Sequence, residues 1–154
     1  MKKISVILTT YNSATFIDRT MTSFFNQEGL GKMFDLEVIA VDDCSSDNTL
    51  EKLEKCQAAV IPTKKNAGGP NKGRNMGLEL ATGDYICIAD HDDEWKPHRI
   101  ASLLPWLEKT SIVSSGYTLI DQPNNRTIER VNQSGESAIF YSRNETFRVK
   151  LTKS

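Results

Sequence analysis

Residues 85–96 read YICIADHDDEWK, an apolar run that ends in a crowd of acidic side chains. Four of the five residues at positions 90–94 are acidic. Carboxylates this close repel one another, and the repulsion costs free energy unless a cation or bulk water offsets it. A buried strand with polar groups at its carboxyl end is typical of open α/β sheets, which bind ligands at that end.

Two earlier apolar runs end in polar clusters in the same way. Residues 4–8 (ISVIL) lead into TTYN at positions 9–12, and residues 36–41 (LEVIAV) lead into two aspartates at positions 42–43. Strand and helix patterns alternate over the first 110 residues, which predicts an α/β fold with a mostly parallel central sheet and helices on both faces. In such a sheet the three polar clusters should converge on one edge.

The remaining elements follow from apolar spacing and breaker residues. Asn12 or Ser13 is predicted to cap the first helix, Trp95 and Trp106 to serve in packing, and His91 to be exposed. The predicted helices cover residues 14–25, 49–56, 74–80 and 97–108, and the further strands cover 58–61, 85–89, 112–120 and 127–131.

Composition limits the class of protein. The chain has 154 residues, a net charge of -1 and 38% hydrophobic residues, which suits one globular domain with a core. Balanced charge gives no reason to expect general attraction to nucleic acid or to a membrane surface. No apolar stretch approaches the roughly 20 residues that span a bilayer. Three cysteines without metal-site spacing indicate reduced thiols.

The acidic cluster allows two interpretations. A calcium loop needs glycine at its sixth position and glutamate at its twelfth, but Trp95 and Ala101 stand there, so that loop is excluded. The remaining D-x-D pair at a strand end suits magnesium or manganese, which take one or two carboxylates together with substrate phosphates. The alternative is a solvated acidic turn that caps the next helix.

A glycine-rich segment, NAGGPNKG at positions 66–73, precedes the third predicted helix. Its glycines would let the backbone approach a ligand closely, and Lys72 and Arg74 offer positive charge for a phosphate. The spacing fits neither a P-loop nor a dinucleotide-binding fingerprint. An ordinary loop before a helix is the alternative.

In combination and order these motifs resemble the donor-binding half of glycosyltransferase family 2. The family pattern places T-x-Y-N after the first strand, then D-D-x-S-x-D, an N-x-G segment ending in R-N-x-G, and G-D-Y before a strand that ends in D-x-D-D. All four stand here in that order, at positions 9–12, 42–47, 66–77 and 83–93. The resemblance covers about residues 1–106, roughly two-thirds of the chain.

The resemblance implies a GT-A nucleotide-diphospho-sugar transferase fold. Residues 1–154 would form one such domain, with residues 1–106 binding the nucleotide sugar and residues 107–154 beginning the acceptor-side part. Asp92 would coordinate manganese or magnesium between the donor phosphates, with Asp90 and Asp93 as further candidates for the metal. The donor-binding residues implied are Thr9, Tyr11, Asp42, Asp43, Lys72, Arg74 and Asp90.

The implied reaction transfers a sugar, most simply from a UDP-sugar, to an acceptor hydroxyl with inversion, and it needs a general base. The family carries that base in a later segment that we do not find, so we expect a fold incomplete at the C-terminus. A non-catalytic nucleotide-sugar-binding module or an inactive transferase is therefore the alternative. A sugar-phosphate nucleotidyltransferase ranks lower, because TTYNS stands where a glycine-rich loop would follow the first strand.

Partners and location follow from the same resemblance. We expect a saccharide or lipid-linked acceptor, a role in polysaccharide biosynthesis, and no nucleic acid. The expected location is the cytoplasm, with the inner face of the membrane as the alternative. Apolar surface left by an absent acceptor half would favour self-association.

Overall fold

A computed structural model describes residues 1–121 and 126–130. Four parallel strands form one sheet in the order β3-β2-β1-β4, and two antiparallel strands form a separate pair. This confirms the predicted parallel sheet and the final hairpin. The strands are β1 (Lys2–Thr10), β2 (Phe34–Asp42), β3 (Ala59–Pro62), β4 (Tyr85–Asp90), β5 (Tyr117–Asp121) and β6 (Arg126–Arg130).

Helices cover both faces of the four-stranded sheet, as predicted. One helix, α3, packs against Ile7 of β1 and Val41 of β2. The opposite face carries the main core, to which the other three helices contribute Ile17, Leu53 and Ile100 among others. The helices are α1 (Ile17–Phe25), α2 (Thr49–Glu54), α3 (Pro70–Leu80) and α4 (Arg99–Leu107).

The third helix begins four residues earlier than predicted, at Pro70 rather than Arg74. Proline suits a first helical turn because its φ is already helical and its missing N–H would have no partner there. The GGP sequence therefore starts a helix where its composition indicates a loop. Lys72 and Arg74 consequently lie on the first two turns of α3.

Two glycines of α3, Gly73 and Gly77, serve packing. Gly73 is the last of the glycines predicted to let the backbone approach a ligand, and the structure places it against Thr9 of β1 instead. Gly73 and Gly77 are buried and lie four residues apart, on one face of the helix. A Cβ at Gly73 would come within 2.8 Å of the Thr9 methyl carbon, and a Cβ at Gly77 within 2.6 Å of an Ile7 methyl carbon. Glycine therefore lets α3 lie directly on β1.

The predicted side-chain cap of α1 is wrong. The helix begins at Ile17 with Phe16 as N-cap, and the Ser13 carbonyl accepts the N–H groups of both at 3.0 and 2.9 Å. The Asn12 side-chain oxygen instead accepts the Ser46 N–H at 2.9 Å. The polar side chains before α1 thus tie two loops together.

Trp95 is a packing residue as predicted, and Trp106 is not. Trp95 is buried, with its ring centroid 4.3 Å from that of Phe24. Trp106 is 57% exposed because Leu103 and Leu107 form the buried side of α4. His91 is half-buried rather than exposed, since its ring lies against Phe16 at a centroid distance of 6.5 Å.

None of the helices formed by residues 1–121 and 126–130 combines the length and the apolar character needed to cross a bilayer.

Glu37 joins β1, β2 and the turn before β4 near the amino ends of the strands. Its carboxylate accepts hydrogen bonds from the Ser5 hydroxyl and from the Thr82 N–H at 2.6 Å, and it pairs with Lys3 Nζ at 2.6 Å. Burial raises the pKa of Glu37, but these hydrogen bonds outweigh it and bring the pKa from 4.5 to about 2. The ionised carboxylate is therefore the form that stabilises the fold.

Replacing Glu37 with glutamine should lower the free energy of unfolding at pH 7 by about 1–2 kcal/mol, allowing for partial screening by solvent. Because the folded-state pKa is depressed, this stabilisation is present above about pH 4.5 and is lost as the pH falls toward 2. Urea denaturation from pH 7 to pH 3 should show the wild type converging on Glu37→Gln. Glu79→Gln, exposed on α3, is the control. A difference between Glu37→Gln and wild type that does not change with pH would contradict this account.

Replacing Gly77 with alanine should destabilise the protein by about 1–2 kcal/mol. The gain of up to about 1 kcal/mol in helix propensity is outweighed by the clash with Ile7, which is fully buried and β-branched. Thermal or urea denaturation measures the change. Gly69→Ala is the matched control, because a Cβ at Gly69 meets open space. Equal stability of the two variants would show that α3 does not depend on this close approach.

Candidate donor and metal site

The strand register brings the predicted polar clusters to one edge of the sheet. Thr10 of β1 pairs with Asp42 of β2, and Thr9 of β1 pairs with Asp90 of β4. All three strands run in the same direction, so their carboxyl ends lie side by side. The structure therefore places the end of β1 between the aspartate pair of β2 and the acidic cluster that follows β4.

Asp42 is buried, with only 1% of its surface exposed. One carboxylate oxygen accepts the Thr10 hydroxyl at 2.8 Å and the Ser45 hydroxyl at 2.6 Å. The other accepts the Ser45 N–H at 2.9 Å. Because both oxygens face donors of the protein, Asp42 secures the turn that follows β2.

Asp43 is half-buried and joins three segments. Its N–H donates to the Thr10 carbonyl at 2.8 Å. Its two carboxylate oxygens accept the Thr63 hydroxyl at 3.1 Å and the Ala67 N–H at 2.8 Å. Each carboxylate oxygen has a second lone pair. The Asp43 side chain can therefore accept a ligand donor while it holds the loop before α3.

Hydrogen bonds join two loops, residues 11–14 and 44–47, beside these aspartates, and we call this contact the clasp. Asn12 and Cys44 both adopt positive φ, at 48° and 64°, which is uncommon outside glycine and occurs at tight turns. The Asn12 N–H donates to the Ser45 hydroxyl at 2.9 Å, and the Ala14 N–H donates to Asp47 at 3.0 Å. The D-D-x-S-x-D motif at positions 42–47 does not show these hydrogen bonds, which depend on the tertiary contact between the two loops.

Tyr11 and Asp47 show what the clasp does. The Tyr11 side chain is left 48% exposed at the edge of the site. Slight burial alone would raise the pKa of Asp47. Hydrogen bonds from Thr49 and from the Ala14 N–H outweigh this effect, so the pKa lies below its ordinary value. The clasp therefore favours a charged Asp47 and holds the backbone that carries the Tyr11 ring.

Arg74 reaches from α3 to the end of β4. Its guanidinium pairs with Asp90 at 2.6 Å, and the two side chains are 30% and 54% exposed. The Arg74 Nε is buried without a hydrogen-bond partner among the described residues. Lys72, two residues closer to the helix start, is exposed. The structure thus engages one of the two predicted cations, Arg74, with a predicted acid.

The acidic cluster forms a tight turn after β4. The Asp93 N–H donates to the Asp90 carbonyl at 3.2 Å, and the Asp92 side chain is exposed. Partial burial raises the pKa of Asp93, and the charges of Asp90 and Asp92 raise it further, while Arg99 and His91 oppose the shift. The carboxylates are therefore near enough to repel, and a cation among them would relieve that repulsion.

The donor atoms of this cluster suit a metal only where a ligand completes the coordination. Over the described ranges, no three side chains of His, Cys, Asp or Glu are grouped so that they could hold a metal ion by themselves. Asp92 and its neighbours nevertheless offer hard carboxylate oxygens, the donors preferred by magnesium and manganese. Such ions are commonly held by one or two carboxylates, with phosphate oxygens and water completing the coordination.

Comparison with known proteins places these features in a family. The family model described as glycosyl transferase family 2 matches residues 5–153. An uncharacterised glycosyltransferase of Nostoc is 30% identical over 138 residues, covering 86% of this chain and 42% of the relative. The chain therefore spans less than half the length of this relative.

Solved structures show the same fold. Residues 1–349 of the Staphylococcus aureus protein TarS, in complex with UDP-GlcNAc, match with a TM-score of 0.65 at 31% identity, covering 73% of this chain and 34% of TarS 1–349. A mannosyltransferase of Pyrobaculum calidifontis, in complex with GDP-Man and Mn²⁺, matches with a TM-score of 0.64 at 25% identity, with the same two coverages. The predicted GT-A fold is confirmed by these neighbours.

Replacing Asp42 with asparagine should destabilise the protein by about 2 kcal/mol, because the new amide NH₂ must face a hydroxyl or an N–H that now donates to a carboxylate. Asp35→Asn is the control, since Asp35 is exposed near the other end of the same strand. Urea denaturation at pH 7 measures both variants. Equal stability would mean that the buried carboxylate does not secure the turn after β2.

Proposed function

Because this chain belongs to glycosyltransferase family 2, we propose that it binds a nucleotide-diphospho-sugar and transfers the sugar to an acceptor hydroxyl with inversion. The donor we propose is a UDP-sugar, as in the TarS complex with UDP-GlcNAc. One observation carries the proposal. Asp43, a half-buried acid with spare lone pairs, follows β2, and the exposed acidic turn follows β4, so the two flank the carboxyl end of β1. A nucleoside diphosphate has a hydrogen-bonding base at one end and an anionic diphosphate at the other, which suits this pair.

We propose that the nucleoside lies over the ends of β1 and β2. The exposed Tyr11 ring offers a surface on which a base can stack. Asp43 can accept a hydrogen bond from the imide of the base, because its carboxylate is held in place by Thr63 and Ala67 and keeps lone pairs available. Thr9, buried beneath α3 at the carboxyl end of β1, is proposed to support the site from within the sheet, and Asp42 supports the turn from which Asp43 extends.

The ribose and the diphosphate are then proposed to lie toward β4 and α3. Asp90 can accept a ribose hydroxyl, with its carboxylate oriented by Arg74. Lys72 is exposed near the start of α3, where an ammonium group can approach a phosphate. We therefore assign phosphate contact to Lys72 and orientation of Asp90 to Arg74, which narrows the prediction that either cation could serve.

Asp92 is the proposed principal ligand of a manganese or magnesium ion, and Asp90 and Asp93 are its neighbouring candidates. The bound ion would supply Lewis-acid stabilisation of the charge on the departing nucleoside diphosphate. The geometry supports this assignment, because Asp92 is exposed and the charges of Asp90 and Asp92 both act on Asp93, where they add to the rise in pKa that burial causes.

Inversion requires a general base to accept the proton of the acceptor hydroxyl as that oxygen attacks the anomeric carbon. None of the acids described above is assigned this role, because each already serves the donor end or the fold. The acceptor proposed is a saccharide or a lipid-linked acceptor, with polysaccharide biosynthesis as the process and the cytoplasm as the location, the inner face of the membrane being the alternative. Self-association stays a prediction.

Isothermal titration of UDP with and without Mn²⁺ tests the donor site. Wild-type protein should bind UDP at least tenfold more tightly with Mn²⁺, and Asp92→Ala should lose that gain while keeping metal-free binding. Tyr11→Ala should weaken binding under both conditions, because a stacked base contributes about 1–3 kcal/mol. Asp35→Ala, which removes one exposed carboxylate near the opposite edge of the sheet, should change neither.

Several outcomes would contradict the assignment. If Asp92→Ala keeps the manganese-dependent binding of UDP, the metal does not bind at the acidic turn. If the folded protein binds GDP or TDP with Mn²⁺ but does not bind UDP, the proposed nucleotide base of the donor is wrong. Binding of UDP-sugar without transfer to any acceptor in a pooled glycan extract would favour the non-catalytic binding module.

A further inference from the structure

A ladder of buried polar side chains on α1 and just beyond it holds the acidic turn from behind. Thr20, Ser23 and Gln27 have 0%, 7% and 5% of their surfaces exposed. Their spacing of three and four residues places them on one side of the helix. They are polar residues in the part of α1 that faces the core, so each needs a hydrogen-bond partner.

The partners lie in the backbone of residues 91–100. The Thr20 hydroxyl donates to the His91 carbonyl at 2.9 Å. The Ser23 hydroxyl accepts the Trp95 N–H at 3.0 Å and donates to the Thr20 carbonyl at 2.7 Å. These two contacts fix the chain at residues 91 and 95, immediately before and after the remaining carboxylates of the cluster.

Gln27 extends the ladder toward α4. Its side-chain oxygen accepts the Ile100 N–H at 3.0 Å, and its amide nitrogen donates to the Lys96 carbonyl at 2.9 Å. The next residue, Glu28, donates its N–H to the Pro97 carbonyl at 2.8 Å. The α1 segment therefore holds the acidic turn and the approach to α4 along their length.

Such a ladder has an electrostatic consequence. Carboxylates that repel can lower their energy if the backbone moves them apart, and a loop without anchors would allow this. Anchors at His91 and Trp95 leave only three residues between them, so the side chains at positions 92–94 stay close together. A turn that stays crowded is preorganised for a cation, because the protein does not have to draw the ligands together when the ion binds.

We propose that Thr20 and Ser23, supported by Gln27, are positioning residues that hold the acidic turn in its cation-binding form. This inference rests on the proposed donor and metal site and extends it to residues that lie behind the turn. They touch neither the nucleotide nor the metal, and they act through the backbone of residues 91–95.

Thr20→Val removes the hydroxyl while keeping the shape of the side chain, and Thr20→Ser restores the hydroxyl. Thr22→Val is the matched control on the same helix, because the Thr22 hydroxyl is exposed and bonds within α1, to the Asp18 carbonyl at 2.7 Å. Ser23→Ala is a second variant, which frees the Trp95 N–H directly. All are made in the full-length protein.

The first measurement needs no ligand. Amide hydrogen exchange of residues 91–95 should be at least tenfold faster in Thr20→Val and in Ser23→Ala, whereas exchange in β1 and β2 should be unchanged. Thr20→Ser and Thr22→Val should match the wild type. Unchanged exchange at residues 91–95 in both Thr20→Val and Ser23→Ala would overturn the inference, whatever the protein binds.

The second measurement is titration of UDP with and without Mn²⁺, with free Mn²⁺ followed by electron paramagnetic resonance. Thr20→Val should lose about tenfold of the manganese-dependent affinity and less than twofold of the metal-free affinity, and Thr20→Ser should recover it. Faster exchange with unchanged manganese affinity would reduce the ladder to a structural role and overturn the proposal. Wild-type protein that binds no UDP with Mn²⁺ would overturn the proposed function and this inference with it, and the exchange data would show whether the ladder still holds the turn.

Discussion

The parallel register of β1 with both of its neighbours is the constraint on which the site depends. Thr10 pairs with Asp42 on one side, and Thr9 pairs with Asp90 on the other. A shift of one residue in either pairing would turn a strand's side chains to the opposite face of the sheet. The apolar residues of β1 are buried on both faces, so such a shift would expose core residues, and the register is set by the core rather than by the site.

The close approach of α3 serves the same end. The side chains of Ile7 and Thr9 occupy the space that a Cβ at Gly77 or Gly73 would need, so the helix sits directly on β1. Arg74 follows Gly73 on that helix and can therefore reach Asp90 at the end of β4. Gly73 and Gly77 thus determine where a charged side chain meets the strand ends.

Much of the fold could be predicted from the sequence, because strands and helices that bury apolar faces leave a periodic pattern. The four strands of the sheet, their parallel direction and the convergence of three polar strand ends all follow from that pattern, whereas the order of the strands in the sheet comes from the structure. The start of α3 could not be predicted, because GGP is equally suited to a loop and to a helix that begins at proline. The packing role of Gly73 and Gly77 depends on the distance between a helix and a strand, and no local pattern shows that distance.

Asp42 and Asp43 show the same limit of prediction from local sequence patterns more clearly. Asp42 and Asp43 are adjacent and chemically identical, yet one is buried among protein donors and the other keeps lone pairs available. Asp42 is the last residue of β2 and Asp43 lies just beyond it, so the two adjacent carboxylates have different surroundings. The sequence shows two carboxylates at the end of β2. Only the tertiary contacts show which of them stabilises the fold and which can still accept a hydrogen bond from a ligand.

The acidic residues at the end of β4 and in the turn after it also differ in their surroundings. Arg74 pairs directly with Asp90, whereas Arg99 and His91 only oppose a rise in the pKa of Asp93 whose largest cause is burial. The direct ion pair therefore lies at the strand end, and Asp92 and Asp93 follow it in the turn. Under the proposed assignment, a divalent cation bound in this turn would gain the free energy that carboxylate repulsion costs the protein without it. The proposed cation site would then account for the crowding of carboxylates after β4.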